Sequence, residues 1–471
     1  MNGALRFLRK VVDVRPNELH ALLLAAFFNF VILGSYYVIR PIRDDIGAAG
    51  SLEALPWMYT GTLGAMLVAN TLFSAIVARM SRRRFLPIAY RFFSINLIIF
   101  YLLMRTLSPA QNLWVGRVFF VWVSVFNLFV VTLFWAFMSD IFNSEQAKRL
   151  FAFISVGGSL GAIAGPIVTA SLVRQLGAAN LILITAALLE ILPWCVKYFP
   201  AAEASAAPPA ARARNRARDR NPKEGEQERD YAQEQERAAR VREAGAEQPI
   251  GGGIITGISH VVRSPYLLGI CAFMLFHSIT STLVYFQQAD ITGHQFHDRA
   301  TRTAFFAQLD LAVNTITIVV QLFVTGRLLK WFGVGVTLAF LPVLSTLGFI
   351  GMGIVPVLSL LAVFQVLRRA GNFAVTRPAR EVLFTVLSRE DKYKAKSFID
   401  TFVYRAGDQI GAWSYPLLTS FGLGLTGISF VAAPLAAVWC ALSIWLGKKQ
   451  AARAEAVAQV AEPALGAAPA A

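Results

Sequence analysis

Residues 35–47 read SYYVIRPIRDDIG, placing Arg40 and Arg43 three apart and Asp44 one helical turn beyond Arg40. Two planar, permanently charged guanidinium forks suit bidentate contact with phosphate or carboxylate oxygens. Asp44 is expected to pair with Arg40 when no anion is bound, lowering the cost of desolvated charge. Pro41 removes a backbone donor where the helix must flex. At about 100° per residue, Asn29, Tyr36, Tyr37, Arg40, Arg43 and Asp44 share one face, and Asp45 points elsewhere. A second stripe is formed by Asp310, Asn314, Thr317 and Gln321, and a third by Thr401, Arg405, Asp408 and Gln409. Asn127 and Glu190 are further polar residues set in apolar surroundings.

These patterns point to solute binding, with Arg40, Arg43, Tyr37, Asn127, Asn314 and Arg405 as candidate ligands for the solute and Asp44, Asp310, Asp408 and Glu190 as candidate coupling or gating groups. Two roles stay open for each: lining a cavity, or gluing helices together. The cluster at 40–45 is equally readable as a salt-bridge gate. No nucleophile with a base, no cofactor loop and no metal spacing is present, so neither an enzyme nor a cofactor is expected. His294 and His297 in "HQFHD" have no further ligand nearby and read as loop residues. Cys195, Cys271 and Cys440 lie far apart in apolar runs, as packing residues.

The elements that must carry these residues are apolar. The chain is 471 residues long, 56% hydrophobic and 15% charged, with a mean hydropathy of +0.54, which excludes an ordinary soluble domain. Runs of roughly 20 residues, long enough to cross a bilayer as helices, occur at 19–40, 56–78, 85–105, 113–138, 150–172 and 179–198, and again at 264–287, 304–326, 334–354, 355–376, 396–420 and 425–446. The expected fold is therefore an all-α polytopic membrane protein with twelve transmembrane helices. Its expected divisions are a six-helix half over 1–199, a charged linker over 200–250, a second half over 251–447 and a disordered tail over 448–471. Within 211–243 ten Lys/Arg nearly balance eight Asp/Glu, so the net charge of +16 resides at alternate helix ends. By the positive-inside rule both termini and the linker are cytoplasmic, in a plasma membrane or, in a Gram-negative cell, the inner membrane. The basic charge thus reports topology, and no nucleic-acid partner is expected; nothing in the sequence names a protein partner.

An internal repeat supports two halves. "GGSLGAIAGP" at 157–166 and "GDQIGAWSYP" at 407–416 align Gly157, Gly161 and Pro166 with Gly407, Gly411 and Pro416. Both fall in the fifth helix of their half, as in the major facilitator architecture, whose solute site lies between the halves.

Three blocks resemble the ATP/ADP translocases of plastids and intracellular bacteria: "YYVIRPIRDDI" at 36–46, "TLFWAFMSDIFNSEQAKRLFAFISVG" at 132–157, and "RPAREVLFTVLSREDKYKAKSFIDTFVYRAGDQIGA" at 377–412. The resemblance implies a nucleotide antiporter. It also implies that Arg43 fills the family's basic slot in the first helix. Val123 stands where the family has a glutamate, Asp408 where it has a lysine, and Tyr285 near a second glutamate. With those charges altered, the expectation is a secondary transporter of a small anionic solute, a nucleotide or related phosphorylated metabolite, working by alternating access. The alternatives are a proton-coupled symporter or exporter of another solute, titrating at Glu190, Asp310 or Asp408, and a non-transporting membrane scaffold or receptor.

Overall fold

The computed structural model describes residues 18–50, 52–77, 82–142, 144–199, 264–387 and 398–466, with Arg15, Val261, Ala395 and Lys396 besides. The linker at 200–250 lies outside the described residues. In the first half run α1 (Leu19–Ala49), α2 (Ala54–Val77), α3 (Arg82–Thr106), α4 (Pro109–Ile141), α5 (Ser144–Leu176) and α6 (Ala178–Tyr198). The second holds α7 (Pro265–Gln295), α8 (Arg299–Phe323) and α9 (Thr325–Ile354). Next comes α10, which starts as Leu358–Gly371, passes through a π turn at Asn372–Thr376 and resumes as Arg377–Leu383. In α11 a π turn at Ile399–Val403 leads into Tyr404–Ser420, and α12 spans Leu425–Gly466. This last helix continues past residue 447, where the sequence placed the start of a tail.

Among the described residues, ten helices are long and apolar enough to cross a membrane on their own. Helix α11 is the least apolar, because Asp400, Arg405, Asp408 and Gln409 lie within it. Large apolar side chains face outward without protein cover, among them Trp57, Leu67, Leu322 and Phe421. A soluble surface does not carry apolar area on that scale, and a bilayer would cover it.

Local chemistry sets the helix starts. Pro265 follows Ser264, whose hydroxyl accepts from the Leu267 amide at 3.4 Å. Asp298 Oδ2 accepts from the Thr301 amide at 2.7 Å and starts α8. Gly177 and Gly422, both with φ near +80°, make the turns from α5 to α6 and from α11 to α12, a conformation that favours glycine.

Packing repeats between the halves. Helix α1 lies on α5 as α7 lies on α11, α3 on α6 as α9 on α12, and α2 on α4 as α8 on α10. The glycine repeat makes the first of these close. A Cβ on Gly161 would stand 2.2 Å from the Phe30 carbonyl oxygen of α1, and one on Gly411 2.8 Å from Thr282 Cβ of α7. Across the halves, α8 meets α5 and α1, α11 meets α2, and α7 meets α1. The two-half arrangement read from the repeat is thus present in the helix packing.

Candidate functional site

The sequence candidates converge where the halves meet. Arg40 reaches across from α1 to Asp310 on α8, with Nη1–Oδ1 at 3.2 Å, and Arg369 of α10 approaches the same oxygen at 2.6 Å. Asp310 is 1% exposed. Neither of its oxygens takes a hydrogen bond in line, so both contacts are ion pairs of loose geometry. The expected Arg40–Asp44 pair is long, at 3.8 Å. Asp44 instead pairs with Arg43 at 2.9 Å and accepts from the Tyr285 hydroxyl at 3.2 Å. Arg40 is drawn away because Asp310 offers it a closer carboxylate from the other half.

Arg43 is held on three sides. Its Nε donates to Ser124 of α4 at 3.1 Å, its guanidinium lies 3.8 Å from the Phe120 ring centroid, and Asp44 takes Nη1. A fork so fixed is pre-organised for an anion. Arg405 and Asp408 of α11 pair at 3.0 Å, and Ser278 of α7 donates to Asp408 at 2.5 Å. A space of about 30 Å³ opens between the halves, with Arg43, Tyr59 and Ser124 on one side and Arg405, Asp408 and Gln409 on the other. It holds about one water, so a solute needs the halves to part.

Tyr37 sits beneath Arg40, its ring centroid 5.5 Å from the guanidinium carbon. Asn127, half-buried, is on α4 one turn below Ser124. Other candidates are committed elsewhere. Asn314 donates to the Ala162 carbonyl of α5 at 2.6 Å, and Asn29 donates to the Ile154 carbonyl at 3.1 Å. Gln321 reaches the Phe373 carbonyl on the π turn of α10. These three join helices. Glu190 pairs with Arg91 at 3.6 Å, both about half exposed, on the α3–α6 side and bonded to none of the other candidates. His294 turns back on Asp290, and no group able to hold a metal occurs among the described residues.

Sequence reasoning passed over the residues that close one end. Asp45, fully buried, accepts from Arg302 at 2.6 Å and Arg299 at 3.0 Å, both on α8. Trp413 donates to Thr60, Trp57 stacks edge-on against Trp413, and Tyr59 packs on Tyr285 and Phe286. Asp45 with Arg299 and Arg302, Asp44 with Tyr285, and Thr60 with Gln409 and Trp413 join the halves on the side where α1 meets α2, and Asn314 joins them near the middle. The signal was available in Arg299 and Arg302, spaced three apart at the start of an apolar helix. Arg368 and Arg369 were likewise visible as an arginine doublet inside an apolar run.

Two repeated six-helix units meeting over buried, ion-paired charge define a multi-pass carrier of the alternating-access class. The chain matches the Major Facilitator Superfamily over residues 20–395 and belongs to that family. Among curated proteins it is 21% identical to the ADP,ATP carrier protein 2 of Chlamydia pneumoniae, covering 94% of this chain and 90% of the relative. It is also 21% identical to the ADP,ATP carrier protein 1 of Chlamydia trachomatis, with 85% and 82% covered. The translocase resemblance of the three blocks is thus carried by whole-length relatives. Among solved structures, the Escherichia coli xylose transporter XylE superposes with a TM-score of 0.57 at 11% identity, over 89% of this chain and 95% of that one. The nucleoside transporter NupG does so with 0.57 at 12%, over 92% and 98%. These two likenesses establish the fold.

Proposed function

We propose that the protein exchanges small phosphorylated anions, nucleotides first among them, across a cytoplasmic or inner membrane. The observation that carries this reading is Asp310 held between Arg40 of one half and Arg369 of the other. In a site without solute, a carboxylate occupies the place an anion would take. A phosphate group entering between the halves would compete with Asp310 for Arg40 and with Asp44 for Arg43, and would return stronger, bidentate contacts. Binding would thereby loosen the inter-half ion pairs that resist rocking. The relatives support a nucleotide as the solute. The exchange of Glu for Val123 and of Lys for Asp408 supports a different charge preference within that class.

Residues 1–199 and 251–447 act as the two moving halves, joined by the cytoplasmic linker 200–250, with the Asp45 lock on the outer side. Asp310 and Asp408 are the remaining coupling candidates, since both lie on the inter-half surface, whereas Glu190 does not. Purified protein in liposomes loaded with ADP should take up external labelled ATP or ADP, and should stall without internal nucleotide. Uptake that depends on an inward proton gradient and ignores internal nucleotide would establish symport instead. A cysteine at Ala232 should react with impermeant reagents only from the cytoplasm; labelling of intact cells would reverse the assigned sides.

A further inference from the structure

We propose that Arg368 is a solute-binding residue, taking one anionic group of a multiply charged solute from the α10 side while Arg40 and Arg43 approach from α1. The inference rests on the anion-exchange reading above and deepens it. Arg368 is 2% exposed, yet no carboxylate pairs with it among the described residues. Its donors reach only neutral oxygens: Ser281 at 3.1 Å, Thr280 at 3.1 Å and the His277 carbonyl at 3.3 Å. Its Nε is buried without a partner, and so is Nδ1 of neighbouring His277. The ring of His277 stands 6.3 Å from that of Tyr404, and the Arg405 guanidinium lies 5.6 Å from the Tyr404 ring.

An unpaired guanidinium in a low-dielectric interior is costly, and a role as helix glue does not require one. Neutral side chains of similar volume hold helices together without that cost. The surroundings extend the point. Arg40, Arg43, Arg369 and Arg405 pair with three aspartates, Asp44, Asp310 and Asp408, and Arg368 adds a fifth guanidinium that has no carboxylate among the described residues. The cluster is two positive charges in excess, and the excess is largest on the α10 side. A monovalent anion would leave it unbalanced, so a phosphorylated solute carrying at least two negative charges fits better.

The test is binding to purified protein in nanodiscs with three probes: ADP, inorganic pyrophosphate and adenosine. Wild type should bind the two phosphorylated probes and ignore adenosine. Arg368→Gln should weaken both by more than tenfold, and Arg368→Lys, which keeps the charge and loses the planar fork, should weaken them less. Thermal unfolding of each variant reports on its fold. If Arg368→Gln does not fold, the Lys variant decides alone, and its unchanged ADP affinity would overturn the proposal. Affinities within twofold of wild type in the folded Gln variant would overturn it too, and would make Arg368 a structural residue. Wild type that binds neither phosphorylated probe would instead overturn the reading of a phosphorylated solute on which the proposal stands.

Discussion

Asp45 and Asp310 are both buried aspartates bracketed by two arginines, and both tie α1 to α8. They differ in geometry. Asp45 accepts well-directed hydrogen bonds from Arg302 and Arg299, whereas Asp310 is approached by Arg40 and Arg369 without a hydrogen bond to either oxygen. Charge-assisted hydrogen bonds are roughly twice as strong as neutral ones, and their directionality resists exchange. On the proposed reading, the contrast separates a lock, whose partners are fully engaged, from a placeholder that a competing anion displaces.

Removing the lock should have the largest effect on stability. Asp45→Asn leaves Arg302, 8% exposed, without a counter-charge and should cost about 3–5 kcal/mol. Chemical denaturation in detergent measures it, and an unchanged midpoint would dissolve the distinction. Asp310→Asn should cost less, about 1–3 kcal/mol, because no directed hydrogen bond is lost and, although Arg369 loses its carboxylate, Arg40 retains its long contact with Asp44. Its main effect should fall on exchange in liposomes, which should drop severalfold or more. Equal destabilisation by the two substitutions would show that Asp310 is a second lock.

Arg43 sharpens the placeholder side. Arg43→Gln should weaken ADP binding more than tenfold, about 1.4 kcal/mol, with the fold retained, and Arg43→Lys should keep part of the affinity. Unchanged affinity in the Gln variant would assign Arg43 to structure alone. Glu190 should respond least. Its pair with Arg91 is solvent- or headgroup-exposed on both sides, so Glu190→Gln should shift stability by less than about 1 kcal/mol and leave exchange intact. A loss of coupling in that variant would restore it to the site.

The helices were legible because hydropathy reports burial in lipid locally, one span at a time. The repeat was legible because Gly157, Gly161, Gly407 and Gly411 are each forced by a close helix contact. The Arg405–Asp408 pair was legible because its members lie within a turn, whereas Arg43 stood out through its polar stripe and the translocase resemblance, its partners Ser124 and Phe120 lying on α4. Partners in the other half were not legible. Asp45 meets Arg302, 257 residues away, and no periodicity along α1 encodes which helix will face it. The same holds for Arg40 with Asp310. Helical-wheel stripes also overstated the site, since Asn29, Asn314 and Gln321 spend their amides on neighbouring carbonyls. A stripe shows that a polar group must be satisfied, and the fold decides by what.

The glycine contacts have a mechanical consequence. With Gly157 and Gly161 set against the α1 backbone and Gly407 and Gly411 set against α7, each half has backbone bearing on backbone at its centre, with little compressible side chain between. Such a joint transmits torque with little slack. Helix α1 is 31 residues long, about 46 Å, and its stretch ahead of Pro41 acts as a lever about that fulcrum. A displacement of an ångström or two around Arg40 is thus carried to the opposite end of the helix at comparable amplitude. One added methyl at the fulcrum would bend the lever itself, which makes these four glycines the points where the carrier's stroke is set.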